Sequence, residues 1–132
     1  MGGGTEPVED DELLYRRVRR EHFDPDKSHE PSPMAFHPLP YDTTGISVFR
    51  ARYTGPAQVV QNDRGKRYYV AVLRAGDLRA HGIEVVAAPE GHPPGHAELP
   101  CLTYENRHCD AAEETKQLLA RRLCIEVLGP LP

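Results

Sequence analysis

Proline is concentrated in two stretches of this chain of 132 residues, and these stretches limit where regular structure can form. Residues 24–44 and 89–100 hold nine of the thirteen prolines. Proline fixes its own φ angle, lacks a backbone N–H and disfavours helix in the residue before it, so the sequence predicts no long helix and no strand in either stretch. The sequence therefore predicts two long surface loops, with helices and strands confined to the segments around them.

The negative charge is concentrated at the N-terminus. The first twelve residues hold five acidic side chains, no basic one and three consecutive glycines, which predicts a disordered acidic tail over residues 1–12. The whole chain has a formal net charge of −4, but residues 13–132 carry 15 acids against 16 Lys and Arg. A body of this length and nearly neutral charge predicts one domain and argues against a protein built to bind nucleic acid.

Hydrophobic periodicity divides residues 13–132 into short elements. Strands are predicted over residues 13–18, 45–50, 68–73, 83–87 and 124–128. Helices are predicted over residues 54–60, 75–81 and 110–123. The first strand has a short helix as its alternative, because nothing in that segment breaks one. These elements predict a single α+β domain with about five strands and two or three short helices.

Four arginines lie together at the end of the first predicted strand. They are Arg16, Arg17, Arg19 and Arg20, and Tyr15 precedes them. Guanidinium groups form bidentate hydrogen bonds with phosphates and carboxylates, so the cluster predicts a binding surface flanked by the two Pro-rich loops. On a strand, Arg17 faces the same side as Tyr15, and Arg16 faces the other side. The alternative is that these arginines pair with the acidic tail or with solvent.

The second loop and the residues after it hold side chains of the types that bind zinc. His92, His96, Cys101 and Cys109 lie within 18 residues. Pro93 and Pro94 prevent the helix that would place the two histidines on one face, and no C-x-x-C motif is present. The sequence therefore predicts no metal site, and a zinc-stabilised interaction module is kept as an alternative.

The candidate nucleophiles do not lie in a recognisable catalytic sequence motif. Ser32, Ser47 and Cys109 are present, but no G-x-S-x-G motif surrounds them, and neither a P-loop nor G-x-G-x-x-G occurs in a strand–helix context. His22 and His96 are candidate binding residues that are far apart in the sequence. Their cooperation requires that the fold bring them together, because a hydrogen bond spans only ~3 Å.

The chain loosely resembles short uncharacterised bacterial proteins over most of residues 13–123. The resemblance rests on Tyr15–Arg16–Arg17–Val18, His22–Phe23, Pro31–Ser32, Ala35–Phe36, Ile46–Ser47–Val48 and Gly95–His96–Ala97. It implies a compact bacterial domain and brings no established activity with it.

A more distant resemblance is to small ADP-ribosyltransferase-like domains. It rests on Leu14–Tyr15–Arg16 in the first strand, Ile46–Ser47–Val48 before a short helix, and Glu126 on the closing strand. The resemblance implies that Arg16 grips the diphosphate of NAD and that Ser47 positions the nicotinamide ribose. It further implies that Glu126 stabilises the oxocarbenium-like charge or orients the acceptor.

These observations predict a small binding or accessory module of the bacterial cytoplasm with a protein partner and no cofactor. The predicted contact surface consists of Arg16, Arg17, Arg20, His22 and His96. An NAD-using ADP-ribosyltransferase-like enzyme with catalytic Arg16, Ser47 and Glu126 is the first alternative. No membrane association is expected, because no apolar run approaches the ~18 residues of a span.

Overall fold

The computed structural model describes residues 4–132 and shows an α+β fold built on one antiparallel sheet. The strands are β1 (Leu13–Val18), β2 (Ile46–Arg50), β3 (Tyr68–Arg74), β4 (Val86–Ala87), β5 (His96–Leu99) and β6 (Glu126–Leu131). The helices are α1 (Pro56–Val60), α2 (Ala75–Ala80) and α3 (Asp110–Leu118), and α3 continues into a π-helical turn at Leu119–Leu123. None of the helices in this part of the chain is long and apolar enough to cross a bilayer.

The sheet has six strands in the order β4-β5-β2-β1-β3-β6, where the sequence predicts about five. The additional strand is β5, which pairs with β2 from Ile46↔Leu99 to Phe49↔His96 inside the second predicted loop. It has only four residues between Pro94 and Pro100, which is too short for a visible apolar alternation. β6 runs through Gly129 and Pro130, where a stop is predicted, because an edge strand tolerates proline.

The two faces of the sheet are covered differently. Ile46, Val48 and Arg50 of β2 are fully buried on the first face, which packs with residues of α2 and α3 into the main core. Ser47 and Phe49 alternate with them and are half-buried on the second face. α1 contacts β1, β3 and β6 and forms a smaller apolar cluster around Val60, Tyr68 and Val70. The second face is therefore where a site can form beside α1.

The N-terminal segment is held by a buried arginine. Arg50 donates from Nε and Nη2 to the two carboxylate oxygens of Glu12, both at 2.7 Å, and from Nη1 to the carbonyl of Glu6 at 2.9 Å. Val8 is buried in the main core. The sequence predicts disorder for residues 1–12; residues 1–3 lie outside the described part, whereas residues 4–12 make these contacts. Arg50 pairs with Glu12 and Glu6 of this acidic segment from a position that local charge patterning does not reveal.

Candidate functional site

β1 and β2 separate next to Arg16. They pair only at Leu14↔Arg50 and Tyr15↔Phe49, whereas β1 pairs with β3 along its whole length. The side chain of Arg16 bridges the opening, because Nη1 donates to the carbonyl of Ser47 at 2.9 Å and Nε to the carbonyl of Ala35 at 3.1 Å. Arg16 therefore links β1, β2 and the first Pro-rich loop at one point.

A cavity of about 450 Å³ lies at this separation, which is within the usual ~300–1,000 Å³ of ligand pockets. Both Pro-rich loops line it. Its basic and imidazole side chains are those of Arg16, Arg17, Arg19, Arg64, His22, His37, His92 and His96. Its other polar and aromatic side chains are those of Ser47, Asp42, Tyr41, Tyr68 and Phe49. The cavity therefore combines several guanidinium groups with aromatic rings.

The four arginines that line the cavity lack carboxylate partners. They are Arg16, Arg17, Arg19 and Arg64. Within residues 4–132, none of them forms a salt bridge, whereas Arg50, Arg52, Arg74 and Arg79 each do. The two acceptors of Arg16 are neutral carbonyls. Burial lowers the pKa of Arg16 to about 10, and the charge of Asp42, which forms no salt bridge with Arg16, opposes that shift, so the group stays charged at neutral pH.

Asp42 is the one acid that lines the cavity in the described part of the chain. It is buried, and its Oδ2 accepts a hydrogen bond from the backbone N–H of Leu39 at 2.8 Å. One carboxylate against four guanidinium groups leaves an excess of positive charge. The cavity therefore has the electrostatic character of an anion site.

Ser47 and His96 form a hydrogen-bonded pair on the cavity wall. Ser47 Oγ lies 2.8 Å from Nε2 of His96, and Nδ1 of the same ring lies 2.6 Å from the carbonyl oxygen of Ala88. Because a carbonyl only accepts, Nδ1 carries the proton, and Nε2 of the neutral ring accepts from the Ser47 hydroxyl. Burial lowers the pKa of His96, which keeps the ring neutral. The arrangement is a hydroxyl paired with an oriented base.

His37 is fixed in the opposite tautomer. The ammonium of Lys116, a buried side chain, lies 3.0 Å from Nδ1 of His37 and donates to it, because an ammonium has no acceptor. Lys116 also donates to the carbonyl of Arg107 at 3.1 Å and pairs with Glu113. Burial, followed by the charge of Lys116, lowers the pKa of His37. The neutral ring of His37 therefore carries its proton on Nε2.

Most of the residues singled out from the sequence meet in this cavity. Arg16, Arg17, His22, His96 and Ser47 line it. Arg20 does not line it and is exposed in the helical turn Arg20–His22. Glu126 is exposed at the start of β6, opposite Val72 of β3, and does not line it either. Of the three catalytic residues that the ADP-ribosyltransferase resemblance implies, Arg16 and Ser47 therefore line the cavity, and Glu126 lies outside it.

The four candidate zinc ligands do not come together in one site. The rings of His92 and His96 stack with centroids 3.9 Å apart. Cys101 is exposed, and Cys109 caps α3, where its Sγ accepts from the N–H of Ala112 at 3.4 Å. Among the residues described, no three His, Cys, Asp or Glu side chains are grouped so that they could hold a metal ion.

Sequence reasoning missed several cavity residues. His37 and Asp42 lie in the first Pro-rich loop. Because this loop is predicted to flank the binding surface, its polar residues are candidates for the site. Arg64 lies in the turn between α1 and β3, and nothing local distinguishes it from an ordinary surface arginine. Tyr68 is the first residue of the strand predicted over residues 68–73, and its position in that apolar run indicates only a place in the sheet.

The two resemblances stay predictions. Of the residues that carry the second one, Arg16 and Ser47 meet at the cavity. Comparison with protein-family models, with curated proteins and with solved structures found no match to this chain.

Proposed function

We propose that the protein is a binding module for a phosphate-bearing ligand of nucleotide size, held in the cavity between β1, β2 and the two Pro-rich loops. The observation that carries the proposal is the set of four cavity arginines without carboxylate partners. A charged arginine attracts the nearest available anion, and the planar guanidinium matches two oxygens of a phosphate. Arg17, Arg19 and Arg64 are exposed to solvent, so their guanidinium groups are open to a ligand phosphate.

The aromatic side chains support a ligand with a planar ring. Tyr68 is buried beneath the guanidinium of Arg17, whose Cζ lies 4.7 Å from the ring centroid. Phe49 is half-buried, and Tyr41 is 73% exposed, so its ring is free to cover a bound base. Aromatic and guanidinium planes stack on nucleobases without requiring one particular base. A mononucleotide or dinucleotide fits these features and the volume better than a polymer does.

NAD is the specific dinucleotide we propose to test first, because the resemblance to ADP-ribosyltransferase-like domains implies it. In that interpretation Arg16 binds the diphosphate and Ser47 contacts a ribose hydroxyl. Glu126 has no part in the binding site, because it is not among the residues that line the cavity. The protein partner and the cytoplasmic location expected from the sequence stay predictions.

The proposal is tested by thermal unfolding of the purified protein with NAD, ADP or adenosine. ADP and NAD are expected to raise the melting temperature, since a ligand at 100 times its Kd adds about 2.7 kcal/mol to the free energy of unfolding. Adenosine is the matched control, because it keeps the base and ribose and lacks phosphate. A melting temperature unchanged by millimolar ADP and NAD, or raised equally by adenosine, overturns the proposal.

A further inference from the structure

We propose that Ser47 is a nucleophile activated by His96 and that it accepts a phosphoryl group from a phosphoester bound in the cavity. The inference rests on the proposed function, because it uses the same anion site, and it adds a reaction to it. The pair consists of Ser47 Oγ and His96 Nε2, 2.8 Å apart, on two neighbouring strands of the sheet.

The pair has the three parts that an activated hydroxyl requires. The nucleophile lies within hydrogen-bond distance of the base, and the base is held by a third group, the carbonyl of Ala88, 2.6 Å from Nδ1. His96 is 1% exposed, so packing also fixes the orientation of its ring. A neutral imidazole in this tautomer accepts the proton that Ser47 loses.

The other two serines of the chain have different roles. Ser32 Oγ accepts from the backbone N–H of Met34 at 3.1 Å, and Ser28 Oγ accepts from that of Glu30 at 3.0 Å. Both hydroxyl groups stabilise local turns. Of the three serines, Ser47 is the one that pairs with an imidazole, so Ser28 and Ser32 are internal controls.

The charges around Ser47 favour attack at phosphorus. Arg16 donates to the carbonyl of Ser47 itself, which places a guanidinium beside the nucleophile's own residue. Arg17 and Arg19 line the same cavity without carboxylate partners. In phosphoryl transfer, negative charge is spread over the equatorial oxygens, and arginines that are already in place stabilise it without reorganisation.

The reaction balances without any added oxidant or cofactor. Ser47 Oγ forms a bond with phosphorus as its proton passes to Nε2 of His96. The bond between phosphorus and the leaving oxygen breaks on the side of phosphorus opposite Ser47, and that oxygen takes a proton from a water molecule, releasing an alcohol and leaving hydroxide. The hydroxide then attacks the phosphoserine from that same side, the bond between phosphorus and Ser47 Oγ breaks, and His96 returns its proton to Oγ, which regenerates Ser47 and releases the phosphate product.

An alkyl fluorophosphonate tests the nucleophile directly on the full chain. Attack by Ser47 forms an Oγ–phosphorus bond and expels fluoride, and the adduct is located by peptide mass spectrometry. We expect one adduct, on Ser47, with a rate that falls at least ~100-fold in His96→Gln, the usual contribution of a general base. Ser32→Ala is the matched control and is expected to label at the wild-type rate.

Three outcomes overturn the inference: no adduct on the wild-type protein, an adduct on Ser28 or Ser32 in place of Ser47, or a folded His96→Gln variant that labels at the wild-type rate. The site of labelling in the wild-type protein decides the question even where the variant does not fold. Thermal stabilisation by ADP without labelling of Ser47 overturns this inference alone. Labelling of Ser47 without stabilisation by ADP overturns the proposed function instead.

Discussion

Ser47 Oγ lies 2.8 Å from His96 Nε2, although 49 residues separate the two in the sequence. The pairing of β2 with β5 explains the contact. Ser47 is directly opposite Glu98, and His96 is opposite Phe49, so Ser47 and His96 are diagonal neighbours on the same face of the sheet. Arg16 reaches the carbonyl of Ser47 from β1 on the other side.

Glu12→Gln is expected to destabilise the protein strongly. The variant leaves Arg50, whose side chain is 0% exposed, without the carboxylate that accepts two of its hydrogen bonds. Breaking a buried ion pair by removing one partner costs about 3–5 kcal/mol. Urea unfolding measures the change in the free energy of unfolding. Glu9→Gln, in the exposed part of the same acidic segment, is the matched control, and an equal effect of the two variants contradicts the account.

The same pair predicts a loss of stability in acid. Burial alone would raise the pKa of Glu12, but its hydrogen bonds with Arg50 and with the backbone N–H of Glu9 outweigh burial, and the pKa lies below the ordinary 4.5. A lowered pKa in the folded state stabilises the protein above pH 4.5, and this contribution is lost as the pH falls through the folded value. The free energy of unfolding should therefore decrease below pH 4.5 in the wild type. It should decrease less in Glu12→Gln, and parallel pH profiles contradict the assignment.

Lys116→Met is expected to raise the pKa of His37. The lysine charge lowers this pKa in addition to the effect of burial, and methionine keeps the apolar stem while removing the charge and the donor at Nδ1. The measurement is an NMR titration of the His37 imidazole, with Lys66→Met on the exposed turn as the control. A His37 pKa that is the same in the wild type and in Lys116→Met contradicts the contact.

Local pattern predicted the strands that carry Arg16 and Ser47 and the loops beside the cavity. β5 is not predicted, because its four residues lie between prolines. The contact of Ser47 with His96 depends on the pairing of β2 with β5, so the sequence does not predict that contact either. Glu12 and Arg50 are 38 residues apart in the sequence. To predict their ion pair, one has to know which arginine is buried. Alternation in β2 places Arg50 on the core face with Ile46 and Val48, which is the one local indication.

We infer that the cavity arginines without carboxylate partners hold phosphate, and the affinity for ADP in Arg17→Ala and Arg20→Ala tests this most directly. Arg17 lines the cavity, whereas Arg20, three residues along the chain, does not. Isothermal titration should show a Kd for ADP about tenfold or more higher in Arg17→Ala, since a hydrogen bond to a charged group contributes about 1.5–3 kcal/mol. The Kd should be unchanged in Arg20→Ala. Equal affinities of Arg17→Ala and the wild type, or an equal loss in both variants, would contradict the account.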